Sequence, residues 1–466
     1  MFVCTASPTA VARQLLREEP ALLSSLDFGP NVRQGEGSGP SLLIGDQSEI
    51  HLLSNETRGF LDYRMALLAQ PGDMVLVRQR DQAFEGYLSR YLGISDVTFL
   101  AGQKNDAQPL SQKAHTSVRL LNACSETATR KGGLTIRSYL TTGHIWRLAN
   151  SIGEAADCCV HISGPSPRVM RRANDKLWFA QLARQVIGRN ATPPTMAAFG
   201  PAGAAGLAKR IAASNKQVIV KVPDSAGSSG NIRLESAAIN HMPLRALRSF
   251  LLARLHATGW NDTYPILVGV WDENVICSPS AQLWIPMIAD GQPTVEGIFE
   301  QRVKGSAGEF VGSVPSGLAA SIQNQLRGEA ACIAAVLQQL GYFGRCSLDA
   351  VLCRSEQNAP QIHWIECNGR WGGVSIPMTA SQRLTGGNPE IAIMQEVFPL
   401  TQMDTPAVIS RLEDLLFDIK KQGTGIIVSS PPGRQQGMLL NLLAIADTRS
   451  LADKALQEAV GRVTGR

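Results

Sequence analysis

The sequence predicts a mixed protein of the α/β and α+β classes with about three domains. The chain has 466 residues, and a domain takes roughly 150 residues. Over the first 165 residues, short apolar runs alternate with helical segments, which is typical of a parallel, doubly wound sheet. From residue 265 onward, strand-like runs follow one another closely. Apolar residues make up 44% and charged residues 18% of the chain, which excludes a wholly disordered protein.

The N-terminal region begins with a helical pattern at 8–26. Its strands are predicted at Met74–Val77, Val97–Leu100 and Asp157–Val160. The glycine-rich stretch at 35–40 does not open a helix, so it does not predict a dinucleotide site.

Residues 166–190 are predicted to form one long amphipathic helix, which ends before Pro193-Pro194. The elements that follow are a strand near 195–198, a helix at 203–213, the strand Val218–Val222 and a helix over 243–258. The next strands are predicted at Ile266–Val270, Val275-Ile276, Ala281–Ile288 and Thr294–Arg302, and after a helix at 317–340 at Arg345–Cys353 and Gln361–Cys367. The chain closes with strands at Gly425–Ser429 and near 437–444 and a helix at 449–462.

Charge and cysteine usage exclude several classes of protein. The net charge of +5 is too small and too scattered for a nucleic-acid partner. No run approaches the ~18 apolar residues that span a membrane, and the start of the chain does not resemble a secretory signal. The nine cysteines include no C-x-x-C pair, so we expect reduced cysteines in a cytoplasmic protein, without a disulfide framework or a zinc ribbon. No H-E-x-x-H pattern supports a histidine-bound catalytic metal.

The strongest chemical signal lies on the two predicted strands at 345–367. Glu366 and Asn368 are two residues apart and therefore share a face, and Asp349 lies on the neighbouring strand. Two carboxylates and an amide oxygen form a site suited to Mg²⁺. Arg370, on the same two-residue step, offers a planar fork for phosphate or carboxylate oxygens. The alternative is a solvated polar end of a strand.

A second signal is Lys221, which closes an apolar strand and precedes a glycine- and serine-rich loop. The backbone N–H groups of such a loop can approach and wrap an anion. The loop residues are Ser225, Ala226, Gly227, Ser228, Ser229 and Gly230. The alternative is a surface loop without a ligand, and no Walker pattern occurs. Lys176 lies on the helix predicted at 166–190. It indicates a functional site only in combination with these two signals.

Taken in order, these motifs resemble the ATP-grasp superfamily over about residues 170–400. The motifs are Asn174-Asp175-Lys176, Lys221 with its loop, Asp349, and the run Glu366-Cys367-Asn368-Gly369-Arg370. The layout is further similar to the bacterial peptide ligases of the pheganomycin type. The resemblance implies a Rossmann-like pre-ATP-grasp domain at 1–165, two ATP-grasp lobes at 166–265 and 266–404, and a small closing unit at 405–466.

The resemblance also implies a role for each residue. Lys176 and Lys221 would contact ATP, the loop would cover its phosphates, and Asp349, Glu366 and Asn368 would hold Mg²⁺. Arg370 would face the transferring phosphoryl group. The remaining assignments are Val268, Val270 and Trp271 in the hinge beside adenine, Asp272 or Glu273 at the ribose, and Arg302 and Arg345 at the substrate.

The implied function is an ADP-forming carboxylate–amine ligase that acts through an acyl phosphate. Its partners would be small molecules, namely an amino acid, a peptide or a carrier-linked acceptor in specialised metabolism, and related enzymes are often homodimers. No membrane or nucleic-acid partner is expected. Two alternatives stay open, an ATP-grasp phosphotransferase and a nucleotide-binding scaffold without catalysis.

Overall fold

The computed structural model describes most of the chain, as three β-sheets with helices packed on them. The described residues are 4–23, 28–50, 61–102, 108–223, 230–305, 308–354, 359–399, 403–421, 423–433 and 437–465.

The N-terminal sheet has six strands, all parallel, as the alternation of strands and helices predicts. Its strands are β1 (Val32–Gln34), β2 (Ser41–Ile44), β3 (Met74–Val77), β4 (Thr98–Ala101), β5 (Leu134–Ser138) and β6 (Val160–Ile162), in the order β1-β6-β5-β2-β3-β4. The helices are α1 (Pro8–Glu18), α2 (Gln82–Leu92), α3 (Leu110–Thr116), α4 (Val118–Lys131) and α5 (Gly143–Ala156), with a 3₁₀ segment at Asp62–Leu68. β2 and β3 are buried along their whole length, because separate apolar clusters cover the two faces of the sheet. The strand predicted from Asp157 begins only at Val160, since Asp157 ends α5 in a left-handed conformation.

The helix predicted over 166–190 is two helices. α6 (Pro167–Asn174) ends before Asp175, and α7 (Lys176–Val186) begins after it. The Asp175 carboxylate accepts hydrogen bonds from the backbone N–H groups of Leu177, at 2.8 Å, and Trp178, at 3.2 Å, and so caps α7. This break fixes Lys176 in the first turn of α7.

A four-stranded antiparallel sheet follows. Its elements are β7 (Thr195–Ala198), α8 (Pro201–Ala212), β8 (Gln217–Lys221), β9 (Asn231–Glu235), α9 (Ser236–Asn240), α10 (Leu244–His256) and β10 (Ile266–Val270). The strand order is β7-β10-β8-β9, so β10 belongs to this sheet although it lies beyond residue 265. Val218, Val220 and Val268 face the helices and form the core of this unit.

The third sheet is antiparallel and has eight strands. Its elements are β11 (Val275–Ile285), β12 (Thr294–Lys304), β13 (Glu309–Pro315), α11 (Ala320–Gln339), β14 (Gly344–Arg354), β15 (Pro360–Asn368), α12 (Ser375–Thr385), β16 (Glu390–Phe398), α13 (Thr405–Leu412), β17 (Gly425–Val428), β18 (Met438–Ala446) and α14 (Arg449–Thr464). The strand order is β15-β14-β11-β12-β13-β16-β18-β17. The two strands after residue 404, β17 and β18, therefore belong to the same sheet. The two strands predicted at 275–288 are one, and β13 and β16 were not predicted.

The expectation that all cysteines are reduced is wrong for one pair. Cys4 and Cys332 form a disulfide, with 6.2 Å between their Cα atoms. The pairing follows from the packing of α1, whose residues Val11 and Leu15 join the apolar cluster of α7 and α11 instead of covering the parallel sheet. Cysteines 328 positions apart meet only through this tertiary contact, which no sequence spacing reveals. No helix within the described ranges has the length and apolar character to cross a membrane.

Candidate active site

Two neighbouring strands bring the predicted metal ligands to one face of the large sheet. β14 and β15 are antiparallel, with Asp349 directly opposite Glu366 and Ser347 opposite Asn368. Residues opposite each other share a face, so the three oxygen-bearing side chains form one cluster. Asn368 Nδ2 donates a hydrogen bond to Asp349 Oδ2 at 2.9 Å.

Polar side chains on two further strands hold Asp349, and the sequence analysis missed them. Ser280, opposite Asp349 on β11, donates from Oγ to Asp349 Oδ1 at 2.6 Å. Gln282 Nε2 donates to Ser280 Oγ at 2.8 Å, and the side chain of Gln301 on β12 also hydrogen-bonds to Asp349. The signal that could have found Ser280 and Gln282 is their alternation, which places two polar groups on one face of a buried strand.

The first lysine approaches this cluster from α7. Lys176 Nζ lies 3.0 Å from Glu366 Oε2, and the lysine side chain is buried. Its place at the start of α7 follows from the Asp175 cap. The structure therefore brings Lys176 to the carboxylates.

The second lysine comes from the four-stranded sheet. Lys221 ends β8 opposite Leu267, on the face away from the valine core. Burial lowers the pKa of the Lys221 ammonium below its ordinary value, although the charges of Glu366 and Asp272 act in the opposite direction. Lys221 thus faces the same cleft as the carboxylates of β15.

Burial and neighbouring charges shift the pKa values of the two carboxylates in opposite directions. Burial, followed by the charge of Glu366, raises the pKa of Asp349 to about 6. Burial acts on Glu366 in the same direction, but the ammonium of Lys176 holds the pKa of Glu366 below its ordinary value. In the absence of a bound cation, Glu366 is thus the charged member of the pair and Asp349 takes up a proton more readily.

Arg370 follows the cluster and is fixed by the residue that ends α6. Arg370 Nη1 donates to Asn174 Oδ1 at 2.6 Å, and the backbone N–H of Gly369 donates to the same oxygen at 3.1 Å. The Arg370 Nε is buried and has no hydrogen-bond partner among the residues that the structure describes. A cavity of about 340 Å³ opens here, lined by Lys176, Glu366 and Arg370 and by side chains of the N-terminal domain.

The hinge residues differ in orientation. Val268 packs into the apolar core beneath α8 and α10, and Val270 lies against the same core. A nucleotide at this hinge would therefore meet their backbone. Trp271 lies under the guanidinium of Arg233, at 5.2 Å from the ring centroid. Asp272 Oδ1 lies 2.9 Å from His363 Nδ1. Of the predicted phosphate loop, residues 225–229 lie outside the described residues, and Gly230 precedes β9.

Arg302 is not brought to the cluster. Its neighbour Gln301 faces Asp349, and the alternation of a strand turns Arg302 to the opposite face. There it forms an ion pair with Asp453 of α14. The structure therefore gives no support for a role of Arg302 at this site.

Arg345 shares the face of Asp349 but lies four residues earlier on β14. Its guanidinium pairs with Glu296 and lies 5.3 Å from the ring of Trp284 and 5.2 Å from that of Trp371. Burial lowers its pKa to about 10. Because Trp371 follows Arg370 directly, these contacts assign Arg345 to supporting the segment that carries Arg370.

A buried arginine of the N-terminal domain also reaches this segment, and no sequence pattern singled it out. Arg64, in the 3₁₀ segment Asp62–Leu68, is 2% exposed. Its Nη1 donates to Gln395 Oε1 at 3.2 Å, whereas its Nε and Nη2 have no hydrogen-bond partner in the described part of the chain. Nη2 lies against Gly373, three residues after Arg370. Among the described residues, no carboxylate pairs with this guanidinium.

A comparison with protein-family models supports the prediction of a pre-ATP-grasp domain in the N-terminal part of the chain. A family model described as the pre-ATP-grasp domain matches residues 62–154. No curated protein sequence matches the chain.

Solved structures resemble almost the whole chain. They include the biotin carboxylase domain of 2-oxoglutarate carboxylase from Hydrogenobacter thermophilus with MgADP, ADP and bicarbonate (TM-score 0.55, 13% identity, 91% of this chain and 90% of that chain). A biotin carboxylase complex from Campylobacter jejuni is also similar, with a TM-score of 0.54 and 13% identity over 91% of each chain. N5-carboxyaminoimidazole ribonucleotide synthetase from Thermus thermophilus has a TM-score of 0.53 and 12% identity, over 91% of this chain and 97% of that chain. At such identities the likeness shows the fold, which is an ATP-grasp fold preceded by its pre-ATP-grasp domain. The predicted fold class is confirmed.

Proposed function

We propose that the protein is an ATP-dependent, ADP-forming ligase that activates a carboxylate as an acyl phosphate and joins it to an amine. The observation that supports this most is the convergence of Asp349, Glu366 and Asn368 with two lysines from a different part of the fold. Lys176 lies 3.0 Å from Glu366, and Lys221 faces the same carboxylate. Basic groups in the cleft suit the phosphates of a nucleoside triphosphate, and the adjacent acidic groups suit its cation.

The donor set fits Mg²⁺. Asp349 and Glu366 supply carboxylate oxygens and Asn368 an amide oxygen, and Asp349 is already oriented by Ser280 at 2.6 Å. Hard oxygen ligands of this kind, few in number and near a phosphate site, are those Mg²⁺ prefers. When bound, the cation would offset the negative charge of the phosphate groups.

The affinity for this cation should depend on pH. Since the pKa of Asp349 lies at about 6, a proton must leave before the carboxylate can serve as a ligand. We expect the apparent Mg²⁺ affinity to fall by about tenfold for each pH unit below 6 and to level off above it. Titration of Mg²⁺ into the ADP-bound protein between pH 5 and 8 measures this. An affinity that is flat across this range would contradict the assignment of Asp349.

The chain's residues then position the reactants. A carboxylate oxygen attacks the γ-phosphorus, ADP leaves, an amine attacks the acyl carbon and phosphate departs, so no covalent protein nucleophile is needed. Lys176 and Lys221 neutralise the phosphate tail, and Arg370, held by Asn174 at 2.6 Å, stabilises charge at the transferring phosphoryl group.

The cavity supports an amino acid or a peptide end as a substrate. It is lined by Glu49, His144 and Arg147 of the N-terminal domain and by Arg171 of α6. Carboxylate and guanidinium groups on one wall complement the ammonium and carboxylate of a zwitterion. The proposal also includes a carrier-linked molecule as the acceptor and a homodimer as the assembly.

We expect the carboxylate substrate to reach the guanidinium of Arg64, which among the described residues hydrogen-bonds only to Gln395. Removing an uncompensated buried charge is not destabilising, whereas a structural arginine is costly to remove. The variant Arg64→Met should therefore unfold at or above the wild-type temperature while KM for the carboxylate rises at least about tenfold, equivalent to one charge-assisted hydrogen bond. Thermal unfolding and steady-state kinetics measure the two effects.

Arg383 provides the matched control. Its guanidinium donates to the carbonyls of Leu67 and Leu68, both at 2.7 Å, beside the segment that carries Arg64. Arg383→Met should lower stability by about 1–3 kcal/mol. If Arg64→Met is the more destabilised variant, Arg64 is a structural residue and this assignment fails.

The function is tested by ADP and phosphate release with pools of amino acids and peptides, followed by mass spectrometry of the products. Release that needs both a carboxylate and an amine, with a new amide product, supports ligation. A stable phosphorylated product identifies a phosphotransferase, release driven by bicarbonate identifies a carboxylase, and ATP binding without any turnover identifies a scaffold. Each of these three outcomes contradicts the peptide-ligase proposal.

A further inference from the structure

A second group of ligand-type side chains lies farther along the same strands. Cys353 is near the end of β14, His363 is on β15, and Asp272 follows β10. His363 Nδ1 lies 2.9 Å from Asp272 Oδ1 and 4.0 Å from Cys353 Sγ. All three ligand atoms lie within 4.8 Å of one another. This group shares no residue with the cluster of Asp349, Glu366 and Asn368.

Both contacts of His363 are made by the same ring nitrogen, and this decides between two chemistries. A thiol–imidazole–carboxylate relay needs both ring nitrogens, one toward the nucleophile and one toward the carboxylate. Here Asp272 and Cys353 both approach Nδ1. One proton on Nδ1 serves only one of them, whereas a cation in that position is within reach of all three donor atoms.

We propose that Asp272, Cys353 and His363 bind a transition-metal ion of the zinc class. Nitrogen, sulfur and oxygen donors together select such ions over Mg²⁺. Tetrahedral coordination with ordinary bond lengths needs about 3.6 Å between nitrogen and sulfur and about 3.3 Å between nitrogen and oxygen. The observed 4.0 Å and 2.9 Å lie within a few tenths of an ångström of these values.

The surroundings support a defined site. Cys353 and His363 are 4% and 7% exposed, and the side chain of Asp272 is 11% exposed. The thiol also lies 3.6 Å from the carbonyl oxygen of Gln361.

The ligands also come from two sheets. Asp272 belongs to the segment that leaves the four-stranded sheet, and Cys353 and His363 belong to the eight-stranded sheet. A bound metal would therefore join the two sheets beside the hinge, at a place where the charge of Asp272 already acts on Lys221. The spacing of these residues, 272, 353 and 363, matches no zinc motif, which is why the sequence did not reveal the group.

Cobalt titration of the full chain, stripped of metal by a chelator and kept reduced, tests the proposal. Co²⁺ in a tetrahedral site with a thiolate gives a near-ultraviolet sulfur-to-cobalt absorption and visible d–d bands. We expect these bands with one equivalent of Co²⁺ and their displacement by Zn²⁺. Cys353→Ser should abolish the sulfur-to-cobalt band. His363→Gln should weaken binding at least about 100-fold, the upper range seen for removal of an outer-shell partner alone.

Two controls make the result decisive. Cys277→Ser removes a free cysteine of the adjacent strand β11 and should leave the bands unchanged. Glu366→Gln disables the Mg²⁺ cluster and should leave them unchanged as well, which separates this proposal from the proposed ligase activity. Absence of the sulfur-to-cobalt band in the wild type, or its persistence in Cys353→Ser, would overturn the proposal.

Discussion

Replacing Glu366 with glutamine is expected to lower turnover by roughly 10³-fold, the size of effect produced by losing one group that stabilises transition-state charge. Glu366 is the carboxylate whose pKa stays below its ordinary value, because Lys176 lies 3.0 Å away. The variant keeps the shape of the side chain but removes its charge. Turnover is measured as ADP release under saturating ATP, and circular dichroism verifies the fold.

Glu396→Gln is the matched control. Glu396 lies on β16 of the same sheet and pairs with Lys304 at the surface. Exposed pairs contribute little, so activity and stability should both stay close to wild type. Turnover of Glu366→Gln within about tenfold of wild type, a difference of about 1.4 kcal/mol, would remove Glu366 from the metal site.

Arg370→Lys is expected to lower turnover by roughly 10²-fold while leaving the KM for ATP nearly unchanged. Lysine preserves the positive charge, but it cannot donate to Asn174 and present a planar fork at the same time. The loss should therefore fall on kcat. Steady-state kinetics with varied ATP separate the two parameters.

Arg302→Lys is the informative comparison, because the family resemblance placed Arg302 at the substrate and Arg370 at the transferring phosphoryl group. The structure places Arg302 on the opposite face of the sheet, paired with Asp453. The conservative variant should keep wild-type kinetics. If Arg302→Lys loses activity as strongly as Arg370→Lys, the orientation of β12 described above is wrong.

The clustering of Asp349, Glu366 and Asn368 was predictable because it depends on local geometry. Glu366 and Asn368 share a face by strand alternation alone, and only the pairing with Asp349 required the fold. The parallel N-terminal sheet was predictable for a similar reason, since its strands are short apolar runs between helices.

Other features depend on tertiary contacts that a sequence pattern does not encode. The break between α6 and α7 follows from the carboxylate of Asp175, which caps α7. Apolar periodicity alone predicted a single helix across this position. Ser280 reaches Asp349 from another strand, Arg64 reaches the segment after Arg370 from the N-terminal domain, and the pairing of Cys4 with Cys332 depends on how α1 packs. The orientation of Arg302 depends on the register of β12, which one residue reverses.

The most direct test is a crystal structure of the protein with Mn²⁺ and a non-hydrolysable ATP analogue, with Mn²⁺ located by anomalous scattering. The account predicts an anomalous peak within about 2.5 Å of oxygens of Asp349 and Glu366, with the analogue's phosphates between that peak and Lys221. A peak and a nucleotide bound elsewhere, with these carboxylates still paired only to protein groups, would contradict it.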